Sequence, residues 1–466
     1  MILAKSIGAR FSRDGAVANR VAVTHPSKPR LLLFAFGDFA FNLYWQSIML
    51  FLLFYYTDAL ELPIAVAATT YMVASVWDGI ANFAAGALVD RRPDNFRFGA
   101  LLVAGAVPLG LSFIFVYSPP LGASVMGVAS VLVAHLLFRT AYAAINVPYL
   151  AMSARISPDS HDRAFVAGMR MLFGTAASVV VALGTIPIGR WLTGSGAARA
   201  YLAAAIVFAI LGAVILIWVG ATYREAAKVE RPLPASLKAA LTSLARNRAF
   251  IALNTAMMAM IVAVTVLGKS VLYYFKYLLN DPDAGQLALA SMGVVSAIAI
   301  PLWMLAGRFV GLRTLWLIAT VLAMTGLAAF AIVDVRTPLG MQIFLVIMQT
   351  IIVGLHFTFW AMLPNTIEFG ELKTGLHVEG TVFGVAALLQ RIAIGIATAI
   401  LGWSFASAGY VANVRQSADT LNAMRGTVAL VPLLFLALSG IAMLYNPLGR
   451  GAHRRIVGQL SGETAA

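Results

Sequence analysis

Cysteine is absent from the 466-residue sequence, which rules out disulfide frameworks, thiolate metal sites and cysteine nucleophiles. Charge is also scarce: Asp, Glu, Lys and Arg make up 11% of the chain, against roughly 25% in soluble domains. Nor is there a Walker loop, a His-Glu-x-x-His helix or a nucleophile elbow. A pumping ATPase is therefore excluded, no enzyme is expected, and neither a metal nor a cofactor is called for. The first thirty residues are polar and basic (Lys5, Arg10, Arg13, Arg20, Lys28, Arg30) and lack an apolar run before a small-residue cleavage site. They read as a cytoplasmic tail without a cleaved signal. What remains is apolar: 61% of residues are hydrophobic and the mean hydropathy is +0.87. Such a chain cannot cover a water-soluble body with polar groups, so it reads as an all-α, polytopic membrane protein.

A hydrocarbon core about 30 Å thick takes about 20 apolar residues of helix. Runs of that kind fall near 31–58, 64–89, 98–118, 124–152, 164–189 and 200–222, then near 249–279, 285–307, 314–333, 340–364, 378–407 and 426–446. Twelve spans in two bundles, 31–222 and 249–446, are joined by a polar linker, 223–248, containing Pro232 and Pro234. The tails are 1–30 and 447–466. With both ends inside, 23 of the 33 Lys and Arg lie in cytoplasmic segments and five in outer loops, the bias expected of a bacterial inner-membrane protein. The net charge of +14 is explained this way without a nucleic-acid partner. A weak internal repeat links the halves: Tyr55-Tyr56-Thr57-Asp58 recurs as Tyr273-Tyr274-Phe275-Lys276 218 residues on, Pro148 as Pro364, and Arg170 as Arg391. Two six-helix bundles related by an axis along the membrane normal are expected, as in major facilitator carriers.

Ionisable groups inside a bilayer cost about 2.5–3.5 kcal/mol each on insertion scales, so each one needs a partner or a wet cavity. Asp38 and Asn42 share one helical face with Trp45 a turn further on, and Asp78 and Asn82 repeat that spacing beside Trp77. Arg139 and Asn146 lie on one face of the fourth span, and Arg170 opens the fifth. Either arginine is most cheaply neutralised by Asp38 or Asp78. A hydrated pocket holding a polar solute and a coupling cation is one reading; a structural ion pair that fixes helix register is the other. His356 and Gln349, seven apart in the tenth span, could line the pocket, with the histidine moving protons or simply packed and hydrogen-bonded. Asp58 and Glu61 at the outer mouth are expected to be solvated. Pro148, Pro187, Pro301 and Pro364 are expected to kink or end helices.

The segment Glu368-Phe-Gly-Glu371-Leu-Lys373-Thr-Gly375-Leu-His377-Val-Glu379-Gly380 is the densest charge cluster near any span end. It reads as a loop forming a cytoplasmic gate, with Lys373 or Arg391 bridging to Glu368, Glu371 or another carboxylate, and with Arg163 belonging to the same gate. Pairs near water form and break at low cost.

Taken in order, Phe36-Gly37-Asp38-Phe39-Ala40-Phe41-Asn42-Leu43-Tyr44-Trp45, Tyr55-Tyr56-Thr57-Asp58 and Trp77-Asp78-Gly79-Ile80-Ala81-Asn82 resemble the glycoside–pentoside–hexuronide:cation symporter family. So do Asn146-Val147-Pro148-Tyr149, the Arg163–Arg170 stretch, Tyr273-Tyr274-Phe275-Lys276-Tyr277 and Glu368-Phe369-Gly370-Glu371-Leu372-Lys373-Thr374-Gly375. The resemblance runs through nearly all twelve spans. It implies a major facilitator fold and uptake of a sugar-like solute with Na⁺, H⁺ or Li⁺. It further implies that Asp78 takes an acidic cation-site position with Trp77 beside it. Arg170 takes that of a fifth-helix arginine near the sugar, and Lys373 that of the lysine before the eleventh helix.

The melibiose carrier of that family has acidic residues where this chain has Asn42, Asn82 and Asn146. An amide oxygen can still ligate Na⁺ or accept from a sugar hydroxyl, but it takes up no proton and supplies no charge. H⁺ coupling through Asp78 is therefore expected ahead of Na⁺. The expected cation site is Asp78, Asn82, Asn42 and Asp38. The expected solute contacts are Trp45, Trp77, Arg139, Asn146, Arg170 and His356, in a monomer surrounded by membrane lipid. The rivals are an exporter or lipid-type carrier of the same fold, with an apolar central cavity, and a receptor or scaffold that moves nothing.

Overall fold

A computed structural model describes residues 26–90, 96–120, 125–157, 159–194, 198–224, 236–333, 335–376, 378–449, 451, 456 and 459. The amino-terminal tail to residue 25, residues 225–235 of the linker, His377 and most of the carboxyl tail lie outside these residues. The described chain is all α-helical. Helices α1 (Lys28–Phe54), α2 (Ile64–Asp90), α3 (Phe98–Val116), α4 (Val125–Arg155), α5 (Ser160–Thr193) and α6 (Ala198–Thr222) precede a short α7 (Leu237–Arg246). Then follow α8 (Arg248–Tyr273), α9 (Pro282–Val310), α10 (Leu312–Ile332), α11 (Pro338–Thr374), α12 (Glu379–Ser407) and α13 (Ala418–Leu444). All but α7 are long and apolar enough to cross a membrane, giving twelve spans.

Local chemistry sets many of the helix ends. Side chains of Asp159, Ser236, Asn247, Asp281, Thr337 and Ser417 cap α5, α7, α8, α9, α11 and α13 by accepting from amides of the first turn. Gly194 (φ +65°) and Gly375 (φ +67°) close α5 and α11 in the left-handed conformation glycine tolerates. Pro148, Pro187, Pro301 and Pro364 lie inside α4, α5, α9 and α11 and end none of them. This corrects the expectation that α11 stops near residue 364. It continues to Thr374, so Glu368, Glu371 and Lys373 stand on its last turns rather than in a loop.

In the first half α1 packs against α5 and α6, α3 against α4 and α6, and α2 against α4; in the second, α8 packs against α11, α12 and α13, and α9 and α10 against α11. Between the halves, α2 lies along α12 and α5 along α9. Small residues allow these approaches: a methyl built on Gly402 of α12 would lie 2.1 Å from Ala68 Cβ of α2. α7 is amphipathic, with Leu237 and Leu241 exposed and Ala240 and Leu244 buried. It is tied to α11 by Ser243 Oγ, 3.0 Å from Thr374 Oγ1, and the adjoining Asn247 donates to the Thr366 carbonyl at 2.7 Å. The side of the molecule carrying α7 is called the linker face below, and the opposite side the far face.

Candidate functional site

α1 and α8 each end in a single π turn, Tyr55–Ala59 and Tyr274–Leu278, followed by a left-handed residue, Glu61 (φ 56°) and Asn280 (φ 55°). The wider turn directs Asp58 inward, where its side chain is 3% exposed. Its carboxylate accepts from Lys276 Nζ at 2.6 Å, Thr57 Oγ1 at 2.7 Å, Tyr410 Oη at 3.0 Å and Tyr277 Oη. Thr57 Oγ1 also lies 2.8 Å from Tyr273 Oη, and Asn413 Nδ2 donates to Glu61 Oε1 at 3.1 Å. Burial, together with Tyr273 and Asp58 beside it, pushes the Tyr410 phenol well above its ordinary range, so it remains a donor. The expectation that Asp58 is a solvated mouth residue is thus overturned: this network joins the first bundle to the second at the far face.

Midway along the helices, α2 points Asp78 into the interior, fully buried. Its carboxylate accepts from Asn82 Nδ2 at 2.9 Å, four residues on, and from Arg139 Nη1 of α4 at 3.3 Å. Arg391 Nε of α12 stands 3.1 Å from the same Oδ2. Arg391 lies twelve residues into α12, about 18 Å from its start, and so meets Asp78 rather than the gate carboxylates expected of it. Both guanidiniums face the Trp45 ring of α1, Arg391 Cζ at 3.8 Å and Arg139 Cζ at 5.0 Å from its centroid.

Arg139 Nε donates to His135 Nε2 at 3.1 Å, and His135 Nδ1 lies 3.3 Å from Tyr56 Oη. A guanidinium only donates, so the proton of a neutral imidazole must sit on Nδ1, facing Tyr56. Lys269 of α8 is also buried, donates to the Met49 carbonyl at 3.2 Å and lies 3.8 Å from the centroid of the Tyr71 ring. His135 and Lys269 were not singled out in the sequence. The available signals were the four-residue spacing of His135 from Arg139 and a lysine in mid-span.

A second pair lies nearer the linker face. Arg170 of α5 grips Asp38 of α1 through Nε at 2.8 Å and Nη2 at 3.3 Å, donates through Nη1 to Ser153 at 2.9 Å, and packs on the Tyr149 ring. Asn42 donates to the Asp38 carbonyl at 2.8 Å and faces Gly174 of α5, and Asn146 is buried on α4. Asp38, Asn42, Trp45, Arg170 and Arg391 are only partly buried.

The remaining expected residues sit elsewhere. Trp77 is 41% exposed and donates to Thr140 of α4 at 2.8 Å, a quarter-turn away from Asp78. His356 lies near the carbonyl of Ile352 in its own helix, and Gln349 donates to Ser296 of α9. At the linker face, Arg163 donates to the Ser157 carbonyl at 3.0 Å, Lys373 Nζ lies 4.8 Å from the Phe369 ring centroid, and Glu379 opens α12.

Comparison with known proteins fits this arrangement of paired charges within two bundles. The description "MFS/sugar transport protein" matches residues 33–450. The chain belongs to that family. Within it, the relatives are of the glycoside–pentoside–hexuronide type. An isoprimeverose transporter of Lactiplantibacillus pentosus is 23% identical over 423 residues, covering 88% of this chain and 87% of the relative. A glucuronide carrier protein homolog of Escherichia coli (strain K12) is 26% identical over 435 residues, covering 91% and 93%. The crystal structure of a D-xylose-proton symporter shares the fold with a TM-score of 0.63 at 16% identity, over 90% of this chain and 97% of that one. The protein is a multi-pass membrane transporter of this family, not an enzyme.

Proposed function

We propose that the protein is a proton-coupled symporter carrying a sugar-like solute across the bacterial inner membrane by alternating access. The observation that carries this reading is the double attachment of Asp78. One carboxylate ties α2 to α4 in its own bundle, through Arg139, and to α12 in the other, through Arg391. A proton on Asp78 would remove the charge both guanidiniums share, so protonation and release of the bundles become one linked equilibrium. Na⁺ would need oxygen ligands where two guanidiniums already stand, which favours H⁺.

The Lys and Arg bias assigns the linker face to the cytoplasm. The Asp58 network then joins the two bundles on the periplasmic side. Asn42, Trp45, Asn146 and Arg170 are the groups offered to solute hydroxyls, and polar side chains of this kind suit a sugar better than a lipid. The names of the isoprimeverose and glucuronide carriers support a sugar-type solute. The carrier works as a monomer.

Vesicles holding the purified protein, screened with glycosides, pentoses and uronides under an imposed pH or Na⁺ gradient, test the proposal. A pH gradient should drive accumulation and a Na⁺ gradient should not. Asp78→Asn should lower accumulation at least tenfold while solute exchange persists. Wild-type accumulation by that variant, or a strict Na⁺ requirement, would overturn proton coupling through Asp78.

A further inference from the structure

At the linker face a crevice of about 600 Å³ opens between the start of α3 and the end of α6, and none of the residues assigned above to solute or proton lines it. Gly99 and Gly220, whose backbones meet there, line it together with Phe96, Arg97, Phe98 and Tyr223. Among the described residues no aspartate or glutamate does, whereas three arginines stand at or beside it. Arg97 lines it and is exposed. Arg155 of α4 holds its guanidinium carbon 5.0 Å from the centroid of the Phe98 ring. Arg224, also exposed, follows Tyr223, and its carbonyl accepts from Arg30 Nη2 at 2.9 Å. The start of α3 adds the positive end of its helix dipole at the same place.

The crevice continues into an apolar track. Val103 lines it, and Val107, Leu111 and Phe115 follow at four-residue intervals along α3, each half-exposed or more. On α6, Ala221 lines it, and Trp218, Val214 and Ile210 follow at intervals of three and four, equally exposed. Residues so spaced share a helix face. The two helices run antiparallel, with Gly110 packed on Ala209 as Gly99 is on Gly220. The track on α3 is about 18 Å long, enough for one leaflet of a hydrocarbon core about 30 Å thick. A basic mouth above an apolar track has the polarity of a phospholipid. A soluble anion would leave the track uncovered, and a zwitterionic headgroup brings no net charge to the arginines. Basic pockets between membrane-spanning helices take anionic headgroups for this reason.

We propose that this crevice is a binding site for one anionic phospholipid of the surrounding membrane, with its phosphate at Arg97 and an acyl chain laid between α3 and α6. Bound there, the lipid touches both helices at their glycine contact and braces the first bundle. The site is separate from the solute path. It rests on the chain crossing a membrane, and not on the solute or the coupling ion.

The test is lipid binding to the purified full chain in detergent, read by native mass spectrometry. The probes are phosphatidylglycerol and phosphatidylcholine with the same acyl chains. Phosphatidylglycerol should bind more tightly by about fivefold or more, the gain expected from even one basic residue at an anionic headgroup. Arg97→Gln should reduce that preference to less than about twofold. Arg246→Gln, on α7 and outside the crevice, should leave it unchanged. Ala100→Phe, which fills the crevice from an exposed position, should weaken phosphatidylglycerol by about fivefold or more. Equal affinity of the wild-type protein for the two lipids would overturn the proposal, and that comparison needs no variant to fold. A preference that survives both Arg97→Gln and Ala100→Phe would place the bound lipid elsewhere and overturn it too. So would an equal loss in Arg246→Gln, the mark of general attraction between a basic protein and acidic lipid. Displacement of phosphatidylglycerol by inorganic phosphate would assign the arginines to a free anion and likewise overturn it. Because neither solute nor gradient is involved, failure of sugar transport or of proton coupling would leave these results standing.

Discussion

Asp58 shows how much one side chain can hold. Four donors converge on its carboxylate, three of them from the other bundle. Breaking a buried ion pair by removing one partner costs about 3–5 kcal/mol, and about 3 kcal/mol corresponds to more than a hundredfold in a conformational equilibrium. Asp58→Asn should therefore open the far face. The absence of cysteine gives a clean background for the measurement. In Phe54→Cys, whose side chain lies beneath the network near Tyr273, a membrane-impermeant maleimide added from the far side should label at least tenfold faster once Asp58→Asn is introduced. An unchanged rate would show that other contacts keep this face closed. That Asp38, Asp78, Arg139 and Arg170 pair with one another was legible in the sequence, because ionised groups in a bilayer demand partners. Which arginine meets which aspartate was not, since that depends on helix rotation and neighbour order. Lys269 was not singled out in the sequence, because its surroundings come from α1 and α2, more than 190 residues away.

At the scale of elements, helix contact depends on glycine. A methyl built on Gly99 of α3 would sit 2.5 Å from the Gly220 carbonyl oxygen of α6, and one on Gly220 2.7 Å from the Gly99 carbonyl oxygen. Neither backbone can yield as a flexible side chain would. Gly99→Leu should push the two helices apart and destabilise the first bundle by about 1–3 kcal/mol. Thermal unfolding of the purified protein in detergent would read this as a lowered midpoint, and an unchanged midpoint would mean that α3 is free to shift. The twelve spans were legible because twenty-residue apolar runs have few other uses. The π turns were not: Tyr55–Asp58 reads as an ordinary helix end, and one additional residue in a turn leaves no mark in hydropathy. The last turns of α11 were missed for a related reason, since charge and glycine suggested a loop where the chain remains helical to Thr374.

The whole molecule is two bundles held along α2–α12 and α5–α9, with polar ties at two depths. At mid-membrane Arg391 meets Asp78 and Lys269 donates to the Met49 carbonyl. If the Arg391–Asp78 pair transmits protonation, Arg391→Gln should decouple the halves. Accumulation driven by a pH gradient should then fall at least tenfold while solute exchange in the same vesicles stays within threefold. Equal losses of both would make Arg391 a solute contact instead.

The tie at the far face has a different origin. Asp58 and Lys276 occupy corresponding places in the two repeats, 218 residues apart, and they pair with each other. Two copies of the first repeat would bring carboxylate against carboxylate there, and two copies of the second would bring ammonium against ammonium. Once acid and base had been divided between the duplicated units, neither could seal that surface with its own twin. Their joining in a single polypeptide, in this unequal partnership, is thus built into the chemistry of one bond.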